Sequence, residues 1–162
     1  MGRGLAAALA LWMTFWMTFW AGDAAACPGL GFLGDEITVT ARQLATPRSA
    51  AVRAGGTVPL GQCRDLPGVG NLPFDPSVSI LYLPDAKPRD LDLRAEGGCD
   101  PVLLARGPSG RFFFDDDDGG AQAARIRLSR PPAGRYTIWV GSRAGVACPA
   151  RLTLRTLPAA RR

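Results

Sequence analysis

The sequence predicts an all-β protein built as a two-sheet antiparallel β-sandwich, and three observations predict it. Short stretches alternate apolar with polar residues, Gly and Pro clusters separate them, and residues 27–162 hold no long run with a helical apolar period. The first strand is "ITVTARQL", with Ile37, Val39 and Ala41 on one face and Thr38, Thr40 and Arg42 on the other. "GTVPL" at 56–60 is a weaker candidate, and "GQCRDLPGVGNLPFDPS" at 61–77 has no period and reads as irregular. Then follow "SVSILYL", "DLDLRAE", "PVLLAR", "RFFFD", "RIRLS", "RYTIWVG" and "RLTLRTL". They are joined by "PDAKPR", "GGCD", "GPSG", "DDDDGG", "RPPAG" and "GSRAGVACPA", all turn compositions. Eight or nine such strands in a chain of this size need two packed sheets, and no second domain is read.

Residues 1–26 read as a secretory signal peptide: Arg3 near the start, an apolar run from Leu5 to Trp20, then small residues with Ala24 and Ala26 before Cys27. The run is shorter than the roughly 20 residues that span a bilayer, so no membrane span is expected after cleavage. The domain is then 27–162. The formal charge is +5, with Lys87 the only lysine. Arg, Ala, Gly and Pro all have GC-rich codons, so part of the basic balance reflects base composition, and nucleic acid is not expected as a partner.

The four cysteines, Cys27, Cys63, Cys99 and Cys148, read in an exported chain as two disulfides. If every turn reverses the chain, loops from "DLDLRAE" onward alternate between two ends. One end receives "GGC", "DDDDGG" and "GSRAGVAC"; the other receives "GPSG", "RPPAG" and the C-terminus. Cys99 and Cys148 therefore meet at one end and are expected to pair, which leaves Cys27 for Cys63. Lipidation of Cys27 is the competing reading, since "AAAC" loosely matches the residues before a lipoprotein cysteine.

Over residues 97–157 the sequence resembles the bacterial pre-peptidase C-terminal domain family and its small stand-alone exported members. The resemblance rests on Asp100 before "VLL", the "PSG" turn, the aromatic strand that ends in "DDDD", and "GRYTIWVG". It implies a jelly-roll-like β-sandwich, periplasmic or secreted, that accompanies enzymes or stands alone without catalysing a reaction. Some members of that family bind calcium or extracellular polymers. The expected function is a non-catalytic module with a binding or structural role in the bacterial cell envelope, its partner an envelope polymer or a secreted protein. The alternative is a small secreted hydrolase using the carboxylates of Asp115, Asp116, Asp117 and Asp118.

Residue types narrow the chemistry. With no histidine, Ser-His-Asp and Cys-His catalysis are excluded, and zinc would need four thiolates scattered along the chain. Lys87 lies in a proline-flanked turn that would not desolvate an amine. A glycosidase pair needs two carboxylates facing across a cleft, whereas neighbours on an extended chain point to opposite sides. No catalytic residue is assigned, and no cofactor apart from calcium is considered. Asp115, Asp116, Asp117 and Asp118, with Asp100 at the same end, form the candidate calcium set, because a hard cation relieves repulsion among crowded carboxylates. An EF-hand is excluded: with Gly119 as its glycine, the first ligand position falls on Phe114 and the last on Arg125. The competing reading is a solvated loop. Arg125 and Arg127, with Arg151 and Arg155, project from alternating strands and would make a guanidinium stripe for sulfate, phosphate or carboxylate groups if those strands share a sheet. Phe112, Phe114, Tyr136 and Trp139 are expected in the core, while Phe113 points away from its neighbours as a candidate contact residue.

Overall fold

The computed structural model describes residues 27–30, 36–120 and 122–159; the signal-peptide segment 1–26 lies outside them. Among the described residues eleven strands form in chain order: β1 Glu36–Thr40, β2 Arg48–Ala54, β3 Val58–Pro59, β4 Asn71–Leu72, β5 Val78–Leu83, β6 Arg89–Gly97, β7 Pro101–Arg106, β8 Phe112–Asp115, β9 Ala123–Leu128, β10 Gly134–Ser142 and β11 Cys148–Pro158. One sheet runs β1-β5-β10-β7-β8, and beyond the end of β5 the short β4 and then β3 continue beside β10. The other runs β2-β11-β6-β9. The fold is the expected all-β sandwich, with one departure. β1 pairs with β5 in parallel, from Glu36 opposite Ser79 to Thr40 opposite Leu83, whereas the other ladders are antiparallel.

The main core lies between the sheets. Ile80 and Tyr82 of β5, Leu103 and Ala105 of β7, and Tyr136, Ile138 and Val140 of β10 meet Leu91, Leu93, Ala124, Ile126, Leu152 and Leu154 from the opposite sheet. The segment after β1 leaves the strand period and forms a 3-10 turn, Gln43–Ala45, that drives fully buried Leu44 into one end of this core. Thr156 donates its hydroxyl to the Ala41 carbonyl at 2.8 Å there, which satisfies a polar group that would otherwise be costly to bury.

A second, smaller core covers the outside of the larger sheet. Leu60, Leu72, Val102, Leu104 and Trp139 are fully buried there, with Leu66, Phe112 and Phe114 packed against them. Each buried Leu contributes about 1.5–3 kcal/mol. This explains why β7 reads "VLLA" without alternation: Leu103 and Ala105 face the inter-sheet core, while Val102 and Leu104 face the cover. The irregular sequence 61–77 supplies much of the cover, held by the Leu60 amide on the Gly70 carbonyl at 2.9 Å. Two glycines admit it. A Cβ at Gly141 would collide with the Asn71 carbonyl, and at Gly68, whose φ is +103°, a Cβ would run into the Phe114 ring. The core assignment of the aromatics therefore divides. Tyr136 belongs to the main core, Trp139 to the second, and Phe112 and Phe114 sit half-buried beside Trp139.

Cys99 is joined to Cys148 and Cys27 to Cys63. The second bridge corrects the lipoprotein reading, because the Cys27 sulfur bonded to Cys63 cannot also carry a lipid thioether. Among the described residues no helix is long and apolar enough to cross a membrane.

Candidate functional site

The four arginines do share one sheet, but β6 separates them. Strand β6 turns Leu91, Leu93 and Ala95 inward, and so presents Asp90, Asp92, Arg94 and Glu96 outward. Register sets Asp92 between Arg127 of β9 and Arg155 of β11. The Asp92 carboxylate is fully buried: Oδ1 accepts Arg125 Nε at 2.6 Å and Oδ2 accepts Arg155 Nε at 2.7 Å. Asp90, 3% exposed, takes Arg127 on Oδ2 and the Arg130 amide on Oδ1. Three of the four expected arginines are thus held by aspartates that the stripe reading left out. Their signal was present in "DLDL", whose alternation puts both acids on the wet side. Arg151 is exposed and pairs with no carboxylate among the described residues, and Arg53 on β2 stands on the same face opposite Pro149. Arg94 pairs with Glu96 at 2.9 Å. The face carries Arg53, Arg94, Arg125, Arg127, Arg151 and Arg155 against Asp90, Asp92 and Glu96, and so remains positive.

At one end of the sandwich the aspartate loop follows β8. Asp115 Oδ2 accepts the Asp118 amide at 3.1 Å and the Arg125 amide at 2.7 Å, so this carboxylate shapes the turn and ties it to β9. Burial raises the Asp115 carboxyl above its ordinary range, against the two amides that pull it down. Asp116 is turned to Arg143, whose own amide donates to the Asp100 carbonyl at 2.9 Å. Of the candidate calcium set, Asp115, Asp117 and Asp118 bring carboxylate oxygens within 4.8 Å of one another, and these three could share one cation. Asp116 and Asp100 stay outside that trio. With Asp115 engaged by the backbone, the exposed partners Asp117 and Asp118 are the test of the loop. Asp117→Asn with Asp118→Asn should raise stability by roughly a few tenths of a kcal/mol through relieved repulsion. Thermal melts should be alike in calcium and magnesium at constant ionic strength. A calcium-specific rise of several degrees that the double variant loses would establish a cation site instead.

At the opposite end, residues 107–111 and 128–132 surround a cleft of about 330 Å³ where edge strand β8 faces edge strand β9. Phe113, Leu128, Pro131, Pro132 and Tyr136 give it apolar walls. Tyr136 donates its hydroxyl to the Pro132 carbonyl at 3.0 Å, and burial pushes its phenol up to about 12, so it is neither a free donor nor an acid-base group at neutral pH. Phe113 does point away from Phe112 and Phe114. Half-buried, it packs against the main core, lines this cleft and carries the Arg111 guanidinium over its ring at 5.1 Å.

Fold and sites together define a disulfide-linked all-β sandwich whose chemistry-bearing side chains lie on one sheet face and at two loop ends. No protein-family model matches the chain. The chain belongs to the family of an uncharacterised protein of Synechococcus elongatus, with which it is 34% identical over 95 residues, 58% of this chain and 67% of that protein. Among solved structures it is similar to PliG of Aeromonas hydrophila, a periplasmic inhibitor of g-type lysozyme, at 16% identity and a TM-score of 0.39, over 76% of this chain and 98% of that one. It is also similar to the pre-peptidase C-terminal domain of a Bacillus anthracis collagenase, at 9% identity and a TM-score of 0.40, over 75% of this chain and 95% of that one. The second bears the name of the family that residues 97–157 resemble in sequence.

Proposed function

We propose that this is an exported, non-catalytic β-sandwich module that binds anionic groups of cell-envelope polymers through the outer face of its four-stranded sheet. The observation that carries the reading is the arginine array pinned on buried Asp90 and Asp92. Arg125 and Arg155 reach Asp92 through Nε and are each about a third exposed, so part of each guanidinium faces solvent. Held this way, the guanidiniums lose little further freedom when they meet sulfate, phosphate or carboxylate. Export is supported by the two disulfides, which persist in oxidising compartments. Against the hydrolase alternative stand Asp115, engaged by two backbone amides, and Asp116, engaged by Arg143; neither carboxylate lines the cleft.

The test measures binding of residues 27–162 to polygalacturonate and, as a neutral control, dextran. Binding to the polyuronate alone is expected, weakening steeply as salt rises. Arg53→Ser with Arg151→Ser removes two exposed charges worth roughly 0.5 kcal/mol each, about fivefold in affinity. Equal binding to dextran, or insensitivity to salt, would sink the reading.

A further inference from the structure

The cleft between β8 and β9 has the composition of a small-ligand site and shares Arg127 with the arginine face. Its lining mixes apolar residues with polar ones, and its most buried polar side chain, Tyr136, has its hydroxyl already bound to Pro132. Polar recognition is therefore left to the rim, where Arg111, Arg127, Ser109 and Ser129 stand and no carboxylate does. Arg127 is engaged by Asp90, but Arg111 pairs with no acid among the described residues and rests on the Phe113 ring instead. A cation stacked on a half-buried ring gains about 0.5–2 kcal/mol, whereas a carboxylate would meet the same guanidinium with two charge-assisted hydrogen bonds. The volume, about 330 Å³, is at the small end for ligand pockets and suits a body of one ring. We propose that the cleft binds a small ring-bearing organic carboxylate, with the ring among Phe113, Leu128, Pro131 and Pro132 and the carboxylate on Arg111. The lining offers no general acid or base that works near neutral pH, so the site binds its ligand without transforming it.

Phenylacetate, phenylacetamide, glucuronate and inorganic phosphate, titrated into residues 27–162 and followed by protein-observed NMR, separate the components of this proposal. Phenylacetate should shift resonances of Phe113, Leu128 and Ser129 saturably. Phenylacetamide, lacking the charge, should bind about tenfold more weakly, and phosphate and glucuronate, lacking the apolar ring, weaker still. Arg111→Gln should remove the preference for the acid over the amide. Ser129→Trp, placed at the exposed rim, should block both ligands. Arg53→Ser with Arg151→Ser should leave phenylacetate binding unchanged, which keeps failure of the polymer reading distinct from failure here. Equal affinity for acid and amide, competition by phosphate at equal concentration, tighter binding of glucuronate, or no saturable shift each overturns the proposal.

Discussion

Replacing Cys99 and Cys148 with serine should lower the stability of the sandwich by about 4 kcal/mol, read as the loss in urea unfolding free energy. The bridge closes 49 residues of sequence, and closure of a loop that long removes roughly that much chain entropy from the unfolded state. Its position reinforces the effect. It fastens the turn that crosses from β6 in one sheet to β7 in the other onto the first residue of β11, fixing that crossing at one end of the sandwich. The Arg143 amide on Asp100 and the Arg143–Asp116 ion pair add contacts at the same corner, but exposed ion pairs of this kind are worth under about 1 kcal/mol. The covalent link therefore dominates. A loss below about 1 kcal/mol would mean that the unfolded chain is already compact around this corner.

Asp92→Ala should cost about 3 kcal/mol, at the low end of the range for breaking a buried ion pair because Arg125 and Arg155 are each about a third exposed. The cost comes from what remains: two guanidiniums drawn together by one carboxylate are left facing each other without it. Two further measurements identify the cause. Added salt should recover part of the loss, since the repelling charges are partly in water. Asp92→Leu combined with Arg125→Met and Arg155→Met should recover most of it, because replacing a whole buried charge cluster by apolar groups is often neutral. If the triple variant is as unstable as Asp92→Ala, the triad is not the source, and the lost contact lies in backbone geometry at the centre of β6.

Much of this architecture was legible in the sequence wherever one face of a strand meets the core and the other meets water. "DLDLRAE" and "RLTLRTL" alternate because burial rewards every second residue, and β6 and β11 form there; "ITVT" becomes β1, but of its apolar pair only Val39 is buried and Ile37 stays half exposed. Counting reversals was also enough to bring Cys99 and Cys148 to one end. The same count groups "GPSG" with "RPPAG", whose residues line the cleft. Strand β2 was missed. "RSAAVRA" has Ala where a larger apolar residue would mark the inner face, and it is a strand because β11 pairs with it along seven positions.

What the sequence by itself determined is which residues share a face and where the chain turns, because a side-chain period of two is local and needs no partner. What covers a face, and which charge lies opposite another, only the tertiary structure decided. The irregular 61–77 segment has no period of its own, yet it becomes the lid of a second core because "VLL" and Trp139 leave apolar surface on the outer side of β7 and β10. Asp92 pairs with Arg125 and Arg155 because register places β6 between β9 and β11, and a slip of one residue would turn that carboxylate into the core. The parallel docking of β1 on β5 has the same origin: pairing is a contact between distant segments, chosen by the packing that both sheets reach together.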